Sequence, residues 1–484
     1  MNRRMVFYML GKVITIEAAL LLLPFAVSLI YNEQCAWAFL ITAGIALFLG
    51  LALSFLSKPS TRLIYAKEGF VLVALAWVFL SLIGALPFTI SKEIPNYIDA
   101  VFETVSGFTT TGASILTNVE ALSHGTLFWR SFTHWVGGMG VIVFVMAIVP
   151  SLCDRSIHVL RAEVPGPVVG KLVPKIKQTA KILYLIYIVL TLLEVLFLWC
   201  GEMNLFESFV HSFGTAGTGG FGIKSDGLAG YSAYSQWVIT IFMLIFGVNF
   251  NLYFFILIKR AKAVFKSEEL RVYLSIFLIA TAVIAFNTYS LYGTLEETIR
   301  QSAFQVASIV TTTGYATTDF NLWPELSRSL VFILLFSGAC AGSTAGGFKI
   351  SRIMLLFKQI KKELLHMLRP RSVATVKLEG KAVDNVVLNS VTVYFSLYFV
   401  LILITFLMLS FDKGGFSFET NLTAAITTIN NVGPGLDAVG PLGSYAGYSW
   451  FSKIILSFAM LFGRLEIYPL LFALTPSTWT RKIR

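Results

Sequence analysis

The chain has 484 residues, of which 56% are hydrophobic and only 13% are charged, and its mean hydropathy is +0.77. A soluble protein carries about a quarter charged residues, so this composition excludes an ordinary soluble globular protein and indicates a membrane protein. The four cysteines show no C-x-x-C spacing, which argues against a zinc site or a disulfide framework; they are Cys35, Cys153, Cys200 and Cys340.

Ten apolar stretches are predicted to cross the membrane, since a helical crossing takes about 20 predominantly apolar residues. The basic start MNRRM resembles a signal peptide, but the long first stretch and the second one close behind it favour an uncleaved first helix. The predicted spans are Val13–Ile30, Ala36–Leu56, Phe70–Phe88, Phe132–Val149, Leu183–Trp199, Trp237–Ile258, Val272–Phe286, Ser329–Gly342, Val391–Phe411 and Phe451–Leu474.

The basic residues, which give a net charge of +11, follow the order of these spans. If the N-terminus lies inside and ten helices alternate, the inner segments hold 29 of the 37 Lys and Arg residues. This is the positive-inside bias, so both termini are predicted to be cytoplasmic, and the basic charge does not indicate a nucleic-acid partner. The outer segments lean acidic, which would concentrate cations at an outer mouth. The inner stretch 358–377 (KQIKKELLHMLRPRSVATVK) could bind anionic membrane lipid.

A short polar segment recurs between the apolar stretches. Residues Thr109–Gly112 read TTTG and Thr311–Gly314 read TTTG again, and segments around Gly220 and Gly433 occupy the same place in the hydropathy pattern. The recurrence predicts an all-α integral membrane protein in which one leading helix pair precedes four helix–pore-loop–helix units around a single pore. The predicted units are residues 1–66 for the leading pair, then 67–153, 154–265, 266–370 and 371–484.

The four loops are predicted to line water, because non-helical backbone at membrane depth must be buried in protein or line a cavity. Glycine permits positive φ, and a ring of carbonyl oxygens can replace the hydration shell of a cation. The loops lack the carboxylates that Ca²⁺ or Mg²⁺ would recruit, which favours K⁺ and leaves Na⁺ open. Fourfold recurrence disfavours the alternative, that small residues only permit close helix packing. The predicted ion-binding residues are Thr109, Thr110, Thr111, Gly112, Gly217, Thr218, Gly219, Gly220, Thr311, Thr312, Thr313, Gly314, Asn430, Asn431, Val432 and Gly433.

A glycine-rich run, SGACAGSTAGGFKISR at Ser337–Arg352, interrupts the helix after the third loop. Each glycine costs about 1 kcal/mol in a helix relative to Ala, so the run predicts an intramembrane loop that obstructs the pore, with a packing face of small residues as the alternative. Arg464 lies inside the last span, where it either snorkels to the interface or forms a positive barrier beneath the ring. The predicted gate residues are Gly342, Ser343, Thr344, Ala345, Gly346, Gly347, Lys349 and Arg464.

Four other ionisable residues of the apolar segments are predicted to be hydrogen-bonded packing residues rather than proton relays. They are Glu17, His134, Glu194 and His211. Their presence leaves proton coupling open.

The segments FETVSGFTTTGAS, VTTTGYATTDF and NNVGPGLD closely resemble the pore segments of the Trk/Ktr/HKT potassium transporter superfamily. The leading helix pair and the glycine-rich loop resemble the TrkH/TrkG branch, and the resemblance covers essentially the whole chain. It implies K⁺ as the transported ion, no organic cofactor, a homodimer with one pore per subunit, a gating loop and a pore arginine. It also implies the bacterial cytoplasmic membrane and a cytoplasmic TrkA-type subunit that binds nucleotide.

The second loop, TAGTGGF, departs from this pattern by an extra glycine, so the central position could be Gly217, Gly219 or Gly220. An alternative function is an H⁺- or Na⁺-coupled secondary transporter, which predicts inverted repeats and two broken helices in corresponding halves. The chain shows four outer loops and one marked break instead. No catalytic set is present, so the chain is predicted not to be an enzyme.

Overall fold

The computed structural model describes residues 1–59, 66–140, 176–371 and 374–479. Regular structure in these ranges is helical apart from one hairpin, β1 (Lys377–Leu378) and β2 (Lys381–Ala382). The helices are α1 (Arg3–Leu20), α2 (Leu22–Ile30), α3 (Ala36–Leu56), α4 (Ala66–Gly84), α5 (Leu86–Ile90), α6 (Tyr97–Phe108), α7 (His124–Gly138), α8 (Ile176–Trp199), α9 (Leu205–Gly217), α10 (Ala233–Phe246), α11 (Phe250–Leu257), α12 (Ala261–Phe265), α13 (Glu268–Thr288), α14 (Leu295–Val310), α15 (Glu325–Leu334), α16 (Ile350–Leu368), α17 (Asn385–Leu409), α18 (Phe418–Asn430), α19 (Trp450–Arg464), α20 (Tyr468–Leu474) and α21 (Pro476–Trp479).

The leading pair consists of α1 with α2, which together form one span over Arg3–Ile30, and of α3. Helix α1 packs against α3 and also against α4 of the first unit. The leading pair is therefore attached to one flank of the first unit.

Each of the four units contains a short helix that ends within the molecule. These pore helices are α6, α9, α14 and α18, and they have 12, 13, 16 and 13 residues. At 1.5 Å per residue none reaches the ~30 Å needed to cross a bilayer core. Each begins at a side-chain N-cap, the strongest local start signal for a helix; the caps are Asn96, Asn204, Thr294 and Ser417.

Six helices of the described residues are long and apolar enough to span a membrane, and one further pair forms a bent span. Large apolar side chains on these spans face outward, as in a protein surrounded by lipid. Examples are Phe48 (72% exposed), Leu192 (52%), Phe286 (89%) and Leu407 (58%). The predicted membrane-protein class and the arrangement of a leading pair with four units are confirmed.

The helices that follow the pore loops differ from the predicted spans, and the prediction of one marked break is wrong. The predicted span Trp237–Ile258 is two helices, α10 and α11, bent by 90°. The predicted span Ser329–Gly342 ends at Leu334, and Phe451–Leu474 is interrupted between α19 and α20. Helix α7 ends at Gly138, and residues 141–149 of its predicted span lie outside the described residues. The breaks coincide with contacts between units, described below.

Candidate functional site

Each pore helix ends in the same backbone turn. The residue two positions before the anchor glycine has a left-handed φ in all four units: Thr110 (54°), Thr218 (56°), Thr312 (56°) and Asn431 (54°). The next residue donates its N–H to the carbonyl five positions earlier, in the pairs Thr111–Ser106 (2.9 Å), Gly219–Gly214 (2.8 Å), Thr313–Ser308 (2.8 Å) and Val432–Thr427 (2.9 Å). This is a Schellman turn. A left-handed non-glycine residue costs about 1–2 kcal/mol, so packing between the units must hold these turns in place.

The four anchor glycines form a closed ring. Their φ angles are 77°, 79°, 82° and 94° for Gly112, Gly220, Gly314 and Gly433. Each Cα faces a carbonyl oxygen of the next loop so closely that a Cβ atom would lie within 2.5 Å of it. The contacts run from Gly112 to Gly219 O (2.0 Å), Gly220 to Thr313 O (2.1 Å), Gly314 to Val432 O (2.2 Å) and Gly433 to Thr111 O (2.5 Å). The fourth contact returns to the first loop, so the four loops surround one axis.

This geometry identifies Gly220 as the structural counterpart of the other three anchors. Gly217 is the last residue of α9, and Gly219 supplies the carbonyl that faces Gly112. The extra glycines leave room for His134 of α7, since a Cβ on Gly219 would lie 2.3 Å from the imidazole ring and one on Gly217 would lie 2.3 Å from the His134 carbonyl oxygen. The glycine-rich second loop therefore reflects a close approach of α7.

The electrostatics of the ring come from the backbone. All four pore helices end at the ring, and each helix C-terminus carries a partial charge of about −0.5, which favours a cation at the centre. The hydroxyls of Thr109 and Thr111 lie 2.8 Å apart, and those of Thr311 and Thr313 lie 2.7 Å apart. Thr109 and Thr311 also donate to carbonyls of their own pore helices, so these hydroxyls stabilise the turns.

A cavity of about 220 Å³ opens on one side of the ring. It is lined by all four anchor glycines and by residues that follow them in the chain, together with Arg130 and Lys224. The cavity is therefore a vestibule that leads to the ring from the side predicted to face outward.

A buried ion pair, which the sequence reasoning missed, joins the first two loops. Arg130 Nε lies 2.5 Å from Glu103 Oε1, and the two side chains are 3% and 0% exposed. Glu103 accepts from the Ile115 amide at 3.0 Å, while Arg130 donates to the Gly222 carbonyl at 3.0 Å and covers the ring of Phe221 at 3.5 Å. Removing one partner of such a pair typically costs about 3–5 kcal/mol. The sequence feature that could have revealed this pair is an acidic and a basic residue within otherwise apolar segments.

Other contacts join the remaining loops. Tyr315 Oη donates to carbonyl oxygens of the second unit, at 3.1 Å from His211 O and 3.2 Å from Phe221 O. Tyr445 joins the fourth loop to the first, since its hydroxyl donates to Gly433 O (2.8 Å) and its amide to Ser114 O (2.8 Å). The tyrosines were also missed, because an aromatic residue after a pore loop looks like an ordinary interfacial anchor in sequence.

The glycine-rich run forms a loop between α15 and α16 (335–349), hereafter called the gating loop after its predicted role. Its neck is closed by the Gly338 amide, which donates to Phe348 O at 2.9 Å. Its tip touches the ring, because the Gly346 amide donates to Thr312 Oγ1 at 2.7 Å and a Cβ on Gly346 would lie 2.6 Å from Asn430 O. These contacts involve residues before the anchor glycines, whereas the vestibule touches the glycines and residues after them. The ring therefore lies between the vestibule and the gating loop.

The other predicted gate residues lie in or against this loop. Ser343 donates to Cys340 O at 2.7 Å and Thr344 to Phe246 O at 3.3 Å, and the Phe250 amide donates to Gly342 O at 3.0 Å. The ammonium group of Lys349 donates to the carbonyls of Ala345 and Gly346. These bonds hold the loop against the second unit.

Arg464 does not snorkel to the interface, because its guanidinium binds three backbone carbonyls. It donates to Thr344 O at 2.8 Å, Gly137 O at 2.6 Å and Gly138 O at 2.7 Å. The arginine thus connects the fourth unit with the gating loop of the third and the end of α7 in the first. Its neighbour Glu466 pairs with Arg352 at 2.6 Å.

The remaining ionisable residues behave in two ways. His134 is a packing residue as predicted, with Nδ1 at 2.7 Å from Gly107 O and Nε2 accepting from the Phe221 amide at 3.3 Å. His211 Nε2 lies 3.3 Å from Tyr231 Oη. For Glu17 the prediction of a hydrogen bond is wrong, since neither carboxyl oxygen finds a donor within the described ranges.

Comparisons with known proteins agree with this architecture. A family model for TrkH, described as a cation transport protein, matches residues 37–481. The chain is 37% identical over 489 residues to the Trk system potassium uptake protein TrkH of Salmonella typhimurium, covering 99% of this chain and 100% of that one. It is 32% identical to the Trk system potassium uptake protein TrkG of Escherichia coli, over 98% of both chains.

The crystal structure of the potassium transporter TrkH from Vibrio parahaemolyticus is similar, with a TM-score of 0.89 and 32% identity, covering 99% of this chain and 100% of that one. The chain therefore belongs to the TrkH family of cation transport proteins, a family of transporters rather than enzymes.

Proposed function

We propose that this protein carries K⁺ into the cell across the bacterial cytoplasmic membrane, through the ring formed by Gly112, Gly220, Gly314 and Gly433. The closed ring of contacts between successive loops carries this proposal, because it brings four equivalent backbone turns around one axis. Four helix C-termini favour a cation there. Ring carbonyls with no carboxylate suit a weakly hydrated monovalent ion, and relatives of the chain are named potassium uptake proteins.

The selectivity of the purified protein tests this function. Proteoliposomes should take up Rb⁺ as a K⁺ analogue, and unlabelled K⁺ should compete far better than Na⁺ or Li⁺. Equal competition by all three ions would contradict a selective ring, and absence of uptake would overturn the transport assignment for the isolated chain.

We further propose that the gating loop and Arg464 form the closed gate beneath the ring. The loop tip touches the third and fourth loops, and Arg464 places a positive charge among three carbonyls there. A fixed positive charge in a low-dielectric pore opposes cation passage.

Neutralising Arg464 should therefore raise flux. Arg464→Gln is expected to increase Rb⁺ uptake several-fold in proteoliposomes, because the positive charge is removed and the hydrogen bond to Thr344 O is weakened. Arg300→Gln, which removes an arginine paired with Glu296 near the outer ends of α10 and α14, is the matched control and should not change uptake. An unchanged flux in Arg464→Gln would count against the gate.

Assembly with other subunits is proposed as well. We infer a homodimer and a cytoplasmic nucleotide-binding subunit of the TrkA type, since the relatives are named as components of a Trk system. The chain itself carries no Walker motif, so control by nucleotide would come from that partner. Comparing flux with and without the partner and nucleotide tests this directly.

Proton-coupled transport is the second candidate. The buried carboxyl of Glu17, which has no donor in the described part of the chain, favours it, because an unpaired acid in a low-dielectric site can exchange a proton. Uptake that depends on an imposed pH gradient, and loses that dependence in Glu17→Gln, would support coupling. Uptake that follows the K⁺ gradient alone would exclude it.

A further inference from the structure

Glu269 joins the middle of the gating loop to the helix that follows it, α16. It is the second residue of α13 and is only 8% exposed. Its Oε1 accepts from the Ala341 amide at 2.7 Å, on one side of the loop tip, and from the Ser351 amide at 3.1 Å, on the other. Hydrogen bonds to a carboxylate are roughly twice as strong as neutral ones, and Ser351 lies in the first turn of α16, where the helix dipole attracts an anion. One side chain outside the loop therefore binds the chain on both sides of the loop tip and holds the tip in place.

The β-hairpin (residues 377–382) contacts the start of α13, where Glu269 lies, from the side predicted to be cytoplasmic. Glu379, at the turn of the hairpin, accepts from Ser267 Oγ at 2.9 Å and from the backbone amide of Glu269 at 3.2 Å. Lys358 of α16 donates to Lys377 O at 2.8 Å and also pairs with Glu268. The hairpin is thus fastened both to the start of α13 and to the helix that follows the gating loop.

The hairpin also reaches the surface of the protein. Glu379, Gly380 and Lys381 at its tip are exposed. The positive-inside pattern places it in the cytoplasm, between α16 and α17. The hairpin is the exposed end of a short series of contacts that leads through Glu269 to the buried gating loop.

We propose that Glu269 is a latch that keeps the gating loop closed, and that the β-hairpin holds this latch in place through Glu379. This inference rests on the proposed role of the loop as the gate. Drawing Glu379 away from the start of α13 shifts the backbone of Glu269, which weakens the bonds to Ala341 and Ser351 together. Glu269 is a positioning residue: it acts on ion passage through the loop and touches no ring residue among its described hydrogen bonds.

The native Cys340 provides a reporter that does not depend on flux. It lies in the gating loop and is fully buried. With Cys35, Cys153 and Cys200 replaced by serine, alkylation of full-length protein in proteoliposomes reads the opening of the loop. Rb⁺ uptake is measured on the same vesicles without a partner.

Glu269→Ala should raise both the alkylation rate and Rb⁺ uptake, on the order of tenfold for the loss of a hydrogen bond to a charged group. Glu269→Gln should give a smaller rise, because the amide oxygen still accepts but is uncharged. Glu379→Ala should raise the alkylation rate and Rb⁺ uptake by an amount between those of the two Glu269 variants. Because the residue lies on the exposed hairpin, this substitution does not endanger folding of the core. Glu363→Gln, an exposed carboxyl on α16, is the matched control and should equal the parent protein.

The outcomes separate the latch from the gate. Faster alkylation with increased uptake supports both. Faster alkylation without increased uptake supports the latch but contradicts the proposed gate. No change in alkylation for Glu269→Ala and Glu379→Ala overturns the latch. In that case, increased uptake in Arg464→Gln would still support the proposed gate.

Discussion

Gly314 shows how little space surrounds a Cα atom in the ring. A Cβ there would lie 2.2 Å from Val432 O and 2.9 Å from Pro434 Cδ, and the φ of 82° disfavours any L side chain. The fourth loop would have to move away to admit even a methyl group. The ring therefore requires glycine at each anchor, because only a hydrogen atom fits in place of a side chain.

Gly314→Ala should reduce the preference for Rb⁺ over Na⁺ by roughly tenfold and lower stability by at least about 1–2 kcal/mol, the cost of a left-handed alanine. Competition of Na⁺ against Rb⁺ uptake in proteoliposomes measures the first effect, and thermal unfolding in detergent the second. Gly44→Ala is the control, since a Cβ on Gly44 would meet no heavy atom within 4 Å. Parent-like selectivity in Gly314→Ala would mean that ions are selected elsewhere.

At the scale of elements, a carboxylate from the leading pair caps a helix of the first unit. The N-cap Ser123 makes no side-chain cap bond to α7. Instead Glu33, in the loop between α2 and α3, accepts from the amides of His124 (2.7 Å) and Gly125 (3.0 Å). The ring of Tyr31 stacks on His124 at 3.9 Å. These contacts fasten the leading pair to the pore-forming part at the end predicted to face outward.

This link predicts a dependence of stability on pH. Burial by itself would raise the pKa of Glu33, but hydrogen bonds from Gly125 and His124 lower it below its usual value of 4.5. A lowered pKa contributes stability that is present above pH 4.5 and is lost as the pH falls through the folded-state pKa. Thermal unfolding should therefore show Glu33→Gln below the parent protein at pH 7, with the difference shrinking below pH 4.5. A difference that grows on acidification would contradict the link.

The breaks in the helices also belong to the scale of elements. The 90° bend between α10 and α11 lies where the gating loop docks, since the Cys340 amide donates to Gly247 O at 3.1 Å. Between α19 and α20, Glu466 and Ile467 have φ angles of 53° and 66°. Ile467 is fully buried, so packing holds a β-branched residue in a conformation that its own preference opposes.

At the scale of the whole molecule, the orientation in the membrane remains a prediction. With the N-terminus inside, the end of α8 faces outward, and Cys200 just beyond it is exposed whereas Cys35 and Cys340 are buried. Of the three cysteines in the described ranges, a membrane-impermeant maleimide should therefore label only Cys200 in intact cells, and Cys200→Ser should remove that signal. Cys35→Ser should leave labelling unchanged. Labelling of Cys200 only in inside-out vesicles would invert the proposed orientation.

Much of the architecture could be predicted from the sequence because local patterns determine it. Apolar length identified the long spans, and the recurrence of TTTG at Thr109–Gly112 and Thr311–Gly314 identified the units. The anchor glycines were also predictable, because a left-handed turn after a short helix requires glycine at a definite position. The helix break around Gly346 followed from the density of glycines.

The sequence by itself therefore determined the class of protein, the number of units and the positions of the ring and the gating loop. Only the tertiary structure decided that Gly220 is the second anchor, that Glu103 and Arg130 pair, and that three of the helices that follow the pore loops break where other units contact them. These features depend on contacts between residues far apart in the chain: Gly220 faces Thr313, and Arg464 reaches Gly137. Local preference sets where a turn can form, but packing between units sets which residues meet.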